Sequence, residues 1–215
     1  MLSFLNPESK FMLAMSRIGD LLLLNLMFLI SCVPIFTIGA ASTAMYTLCF
    51  RFDTDREQGL IKSYLIAFRD NFKQATVIWL IILLCGVTAC INAYIFYVMS
   101  GVIPFLYVLF LLLLVLVIFI GSYAFPLLSQ FDNTNKATLK NALIFSLGYF
   151  PRSILIGAIN VLPFAVMILN FYLFLHAAFL WAGLYFAAAA YLNSIILKKI
   201  LAPYLPEEPE MEEDE

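Results

Sequence analysis

Residues 105–129 read FLYVLFLLLLVLVIFIGSYAFPLLS, a stretch of 25 residues without a single charge. Most of its side chains are apolar, and they cover every side of a helix, so no polar face is left to contact water. A helix needs about 20 such residues to cross the roughly 30 Å of hydrocarbon in a bilayer. A β-barrel strand would instead alternate apolar and polar residues over about ten positions. The stretch therefore predicts a transmembrane helix.

The rest of the chain has the same character. Of its 215 residues, 64% are hydrophobic and only 12% are charged, and the mean hydropathy is +0.98. A soluble domain contains about 45 to 50% apolar residues. Charged residues are absent from Gln74 to Phe131 and again from Ser153 to Leu197, and each gap is long enough for two spans. We predict an all-α polytopic bundle of transmembrane helices in the lipid bilayer.

The apolar stretches predict five spans. The first is long and contains Pro34 and Gly39, so we expect one helix kinked at Pro34, with small residues from Gly39 onward that let another helix approach. In the last span Gly183 and Ala187 are four residues apart and are predicted packing positions. The break before that span is expected within residues 170–176. The predicted spans are 21–50, 75–99, 105–129, 154–170 and 174–197.

Charge predicts the orientation. In the five-span arrangement, ten of the 12 Lys and Arg residues lie on one side, which the positive-inside rule makes cytoplasmic. Lys10 and Arg17 then lie outside with the N-terminus. In a six-span alternative, residues 11–32 and 40–50 each cross the membrane. We expect this arrangement to put the basic loop after Phe50 outside, so the charge rule disfavours it.

Residues 1–205 form the predicted helical domain, and residues 206–215 form an acidic tail. The tail reads PEEPEMEEDE and holds seven of the 14 acidic residues. Because it repels itself and has no apolar periodicity, we expect it to be a disordered cytoplasmic segment.

Weak internal similarity leaves open a parallel two-helix repeat. Ile38-Gly39 resembles Ile120-Gly121, and Phe52-Asp53 resembles Phe131-Asp132. Some transporters contain such repeats. Helical hairpins with basic loops also resemble one another without duplication, and we keep both interpretations.

The loop from Gly59 to Gln74 is the main candidate for a functional surface. It is amphipathic at helical spacing, and its interpretation is either a helix lying in the headgroups or a docking element for a partner. The residues predicted for docking are Tyr64, Phe68, Arg69, Phe72 and Lys73.

Other polar residues near the apolar runs have simpler explanations. Arg17 and Asp20 share a helix face where the chain enters the membrane, so they are interpreted as a helix-end anchor or as a polar contact between helices. His176 has no acidic or cysteine neighbour at metal-ligand spacing, and we expect no metal and no cofactor. Any buried amide must find a partner across helices, which concerns Asn25, Asn92, Asn160, Asn170 and Asn193.

Motifs of catalysis are missing from the sequence. It contains no glycine-rich phosphate loop, no nucleophile elbow and no His/Glu metal motif. A paired carboxylate at membrane depth, which an ion-coupled pump needs, is missing too. We expect a protein without enzymatic activity and without a nucleic-acid partner.

Two stretches resemble a known family. Residues 17–26, RIGDLLLLNL, continue through PIFTIGA at 34–40 and AMY at 44–46, and residues 67–76 read AFRDNFKQAT. Together they resemble the YesL-like family of bacterial membrane proteins, whose function is unassigned. Its members typically lie beside genes for carbohydrate uptake and glycan breakdown. The resemblance implies an accessory or assembly role in carbohydrate (ABC-type) uptake, with permease or ATPase subunits as partners, and it assigns no catalytic or ligand residue. A small channel or transporter acting alone is the alternative, and homo-oligomerisation stays open.

Overall fold

A computed structural model describes residues 10–52, 59–99 and 104–205. These residues form helices and contain no strand, which confirms the predicted all-α bundle. The predicted tail at 206–215 lies outside the described residues. The helices are α1 (Lys10–Ser31), α2 (Ile38–Arg51), α3 (Leu60–Val98), α4 (Pro104–Gln130), α5 (Asn135–Gly148), α6 (Phe150–Leu169), α7 (Phe171–His176), α8 (Ala178–Leu180) and α9 (Phe186–Leu201).

Four helical segments in the described part of the chain are long and apolar enough to cross a membrane. They are Leu60–Val98, Phe105–Gln130, Phe150–Leu169 and Ala178–Tyr204. Large apolar side chains point outward from them, for example Leu84, which is 69% exposed. Since apolar side chains are stable outside the protein only where lipid replaces water, the chain is an integral membrane protein.

The first apolar stretch forms a hairpin, and the prediction of one helix kinked at Pro34 is wrong. Arg17 Nη1 donates to the hydroxyl of Tyr191 at 3.4 Å, and the rings of Phe52 and Tyr191 are 5.6 Å apart. Residues 17 and 52 therefore meet at one residue of α9. A continuous helix would separate them by about 50 Å. The helices α1 and α2 must run in opposite directions.

A turn at Pro34 separates the two helices. Proline has no N–H for the helical ladder and disfavours helical geometry in the residue before it, so α1 ends at Ser31. A short 3₁₀ helix, Ile35–Thr37, follows. The hydroxyl of Thr37 donates to the carbonyls of Ser31 and Pro34 at 2.5 and 2.6 Å, which closes the turn.

The turn of the hairpin contacts α3. Trp79 Nε1 donates to the carbonyl of Ile35 at 2.8 Å. Trp79 lies 19 residues before the end of α3, a distance of about 28 Å along the helix. The turn therefore stops well short of the far end of α3.

This hairpin brings the basic residues to one end of the bundle, which we call the basic face. At this end α1, α3 and α6 begin and α2, α4 and α9 end. The Lys and Arg residues of the described part of the chain lie there, including Lys10 and Arg17. The prediction that these two lie on the side opposite the other basic residues is wrong. The argument against a six-span arrangement is wrong as well. One additional crossing moves the N-terminus to the other side of the membrane and leaves the basic loop after Phe50 on the side where the five-span arrangement puts it.

The helix α3 is continuous through the predicted boundary at residue 75. Its 39 residues are about 58 Å long, nearly twice the hydrocarbon thickness. The charge-free part from Gln74 to Val98 is long enough to cross. Residues 60–73, which we call the α3 extension, therefore continue the span on the basic face and do not form a separate helix in the headgroup plane.

Two further elements complete the bundle. The helix α5 begins at the N-cap Thr134, whose side chain accepts from Ala137 N, and joins α4 to α6 at the basic face. At the opposite end α6 stops at Leu169, and Asn170 caps α7 by accepting from Leu173 N at 3.0 Å. The break before the last span therefore lies within the predicted residues. The segments of the proposed repeat, 38–51 and 120–130, both run toward the basic face.

Candidate functional sites at the basic face and in the bundle

The aromatic side chains of the α3 extension point into the protein. Tyr64 is fully buried, and Phe68 and Phe72 are half-buried against the core. Their rings pack on one another, with centroids 6.3 Å apart for Tyr64 and Phe68 and 5.5 Å apart for Phe68 and Phe72. These three predicted docking residues hold the α3 extension onto the bundle.

The side of the α3 extension next to the aromatic residues is exposed. Ile61 and Leu65 are 51% and 54% exposed, and Arg69 and Lys73 are exposed as well. Ile61, Leu65 and Arg69 follow one another at i, i+4 and i+8, so they form one stripe, which we call the outer stripe. The sequence pattern does not separate Ile61 and Leu65 from the aromatic residues, because all of them are apolar at neighbouring positions around the helix.

A groove borders the outer stripe. Its volume is about 740 Å³, and it lies between α1 and α3, with Leu23 and Asp20 on one side and Leu65 and Ile66 on the other. Its wall is mainly apolar. Such a groove has the dimensions of a site for a partner side chain or a lipid chain.

A larger, more polar cavity opens between α1, α2, α3 and the end of α4. Its volume is about 800 Å³, and it is lined by amides, hydroxyls, Arg51 and three aspartates. Asp20, Asp70 and Asp132 come from three distant parts of the sequence and are the acidic residues of the described part of the chain. Of the predicted entry pair, Asp20 therefore faces this cavity, whereas Arg17 reaches Tyr191.

A chain of hydrogen bonds crosses the interior of the bundle. Asn193 Nδ2 donates to Asn160 Oδ1 at 2.8 Å and to the hydroxyl of Tyr46 at 3.3 Å. Asn160 Nδ2 in turn donates to Ser122 Oγ at 3.0 Å. These four residues, which we call the polar core, connect α2, α4, α6 and α9. Polar side chains inside a membrane protein commonly join helices in this way.

Asn25 makes a different contact, with the backbone of the last span. A π-helical turn, Trp181–Tyr185, connects α8 to α9. The Asn25 amide donates to the carbonyl of Ala182 at 2.6 Å and accepts from Ala187 N at 3.0 Å. Those two backbone groups are the pair that an i to i+5 hydrogen bond would join. The side chain of α1 is therefore inserted into the ladder of another helix.

The predicted packing glycines differ in how tightly they are held. A Cβ at Gly39 would collide with the carbonyl oxygen of Ala75 and would lie 2.6 Å from Trp79 Cβ. At Gly183 the nearest atom, Leu22 Cδ2, would be 4.0 Å away. Ala187 is fully buried where α9 meets α1. Gly39 is thus a position of close approach, and Gly183 lies in the π-helical turn with room to spare.

Metal-ligating side chains do not gather in the described part of the chain. His176 is bonded within its own short helix, with Nδ1 2.7 Å from the carbonyl of Tyr172. The cysteines are free thiols, with Cys49 buried and Cys85 and Cys90 exposed on α3.

Comparison with known proteins gives one match. The sequence model of a family described as "Protein of unknown function, DUF624" matches residues 21–93, about one third of the chain. This match is consistent with the resemblance of residues 17–76 to a family without an assigned function. It covers half of α1, all of α2 and most of α3. No curated protein and no solved structure matches the chain.

Proposed function

We propose that this protein is an accessory or assembly subunit for carbohydrate (ABC-type) uptake, and that it contacts its partner through the α3 extension. The observation that supports the contact most directly is the outer stripe, which exposes Ile61, Leu65 and Arg69 beyond the span. Exposed aliphatic residues beside cations are not needed to hold the bundle together, because the aromatic side of the helix does that. These exposed residues are suited to contact the surface of another protein.

The substrate class comes from the resemblance and not from the geometry. Members of the YesL-like family typically lie beside carbohydrate-uptake genes, so the partner is expected to be a permease or ATPase subunit. The positive-inside rule places the basic face in the cytoplasm, where an ATPase subunit would be reached. The proposal assigns the energy source to the partner and no catalytic activity to this chain.

Purification in a mild detergent from the organism that encodes the protein tests this contact. We expect permease or ATPase subunits to co-purify with the wild type and to be lost with Leu65→Ala combined with Arg69→Ala. Each truncation of a contact residue should cost on the order of 1 to 2 kcal/mol of binding free energy. The matched control is Leu84→Ala, because Leu84 lies on the same helix and is 69% exposed but faces the lipid.

Two results would contradict the proposal. One is purification of the protein alone together with unchanged sugar uptake in a deletion strain. The other is retention of the partner by the double variant at wild-type yield, since the outer stripe would then make no contact.

A channel or transporter that acts alone is the second candidate, and the polar core favours it. Its amides lie inside the bundle beneath the polar cavity of the basic face, where a polar solute would meet hydrogen-bonding groups. Purified protein in sealed vesicles separates the two candidates. Solute-specific flux without any other subunit would support transport, and its absence together with a recovered partner would support the accessory role.

A further inference from the structure

A second groove on the basic face lies between α5 and a short 3₁₀ helix, Ala202–Tyr204, that follows α9. Its volume is about 600 Å³. Ile144 and Phe145 of α5 form one wall, and the ring of Tyr204 packs edge-on against Phe145 with centroids 5.1 Å apart. This groove does not involve the outer stripe. Tyr204 holds the last described residues beside the groove.

Cations lie near this groove on α5 and α6. Lys136, Lys140 and Ile144 are spaced four residues apart on α5, so both exposed lysines lie on the stripe that continues the groove. At the other end the guanidinium of Arg152 lies 5.5 Å from the centre of the Tyr149 ring. The three described carboxylates line the cavity on the side of α1 and α3, and among them only Asp132 is close to α5 in sequence.

The segment that follows has the complementary charge. Residues 206–215 carry seven carboxylates and begin directly after Leu205. Ten residues reach at most about 33 to 36 Å when extended. The helix α5, with 14 residues, is about 21 Å long, so the segment can pass along all of it.

We propose that residues 206–215 bind in this groove and across the lysines of α5, so that the chain covers part of its own basic face. Single exposed ion pairs contribute only about 0.2 to 1 kcal/mol, but seven carboxylates tethered beside several cations contribute together. The contact is electrostatic and is screened by salt. It excludes anionic headgroups and acidic partners from the same lysines.

Zero-length coupling of carboxylates to lysines measures this contact directly. The full chain in nanodiscs of zwitterionic lipid is treated with a water-soluble carbodiimide, and the coupled peptides are mapped by mass spectrometry. We expect coupling of residues 207–215 to Lys136 and Lys140 in several-fold excess over coupling to Lys62, which is equally exposed on α3. Coupling should fall in 1 M salt, where the screening length is about 3 Å.

A matched pair of substitutions separates charge from proximity. Lys140→Gln removes a charge and should lower coupling at Lys136 about twofold to fivefold, whereas Lys140→Arg keeps the charge and should leave it unchanged. Equal coupling to Lys62, indifference to salt, or the same result for both variants would overturn the proposal. So would loss of coupling in nanodiscs of anionic lipid, because headgroups would then occupy the lysines.

Discussion

Asn25 replaces one hydrogen bond in the ladder of a helix that is not its own. Its amide joins the carbonyl of Ala182 to the N–H of Ala187, and so fixes α1 against the π-helical turn. The sequence predicts that a buried amide in an apolar run needs a partner, and this is true of Asn25, Asn160 and Asn193. It could not indicate that the partner of Asn25 is backbone, because the π-helical turn has no sequence signal of its own.

Replacing Asn25 with Ala should destabilise the protein by about 1 to 3 kcal/mol, since the carbonyl of Ala182 and the buried N–H of Ala187 lose their partner. The measurement is the shift of the thermal unfolding midpoint in detergent. Asn92→Ala is the matched control, because Asn92 is only partly buried and bonds to Thr88 of its own helix. If the two variants unfolded at the same temperature, the Asn25 contact would not stabilise the protein.

The helices themselves could be predicted from the sequence more reliably than their connections. Long charge-free runs identify α3, α4, α6 and the last span, because any other backbone arrangement would leave unpaired polar groups in lipid. Pro34 was visible too, but a proline is compatible both with a kink and with a turn. The contacts of residues 17 and 52 with Tyr191 show that it is a turn. A hydropathy pattern carries no information about such contacts. The same holds for the α3 extension. Its aliphatic and aromatic residues are all apolar, and only the packing shows that the aromatic side chains are the ones that contact the bundle.

The contact between α2 and α3 gives a prediction about helix packing. Gly39→Ala should destabilise the protein by about 1 to 3 kcal/mol, because the added methyl collides with the backbone of α3 at Ala75. Gly86→Ala on α3 is the control, since its Cβ would lie 3.6 Å from Val117, an ordinary contact. Unfolding of both variants in detergent is compared with the wild type. Equal stability of Gly39→Ala and the wild type would show that α2 and α3 are farther apart than described.

At the scale of the whole molecule, the hairpin of α1 and α2 explains the distribution of charge. Because α1 begins and α2 ends at the basic face, Lys10 and Arg17 lie at the same end as the other described cations. The violation of the charge rule then disappears. The docking surface, the polar cavity and the groove beside α5 then all lie on one side of the membrane. Every functional proposal for this chain depends on that arrangement.

Labelling of single cysteines in intact cells tests it most directly. In a background with Cys32, Cys49, Cys85 and Cys90 replaced by Ser, one cysteine is placed at Ser16, Met99 or Tyr204, all of which are exposed. With an impermeant maleimide, we expect Met99→Cys to react from outside, and Ser16→Cys and Tyr204→Cys to react only after lysis. Labelling of Ser16→Cys in intact cells, with Tyr204→Cys still protected, would mean that the first stretch crosses the membrane once and would contradict the hairpin.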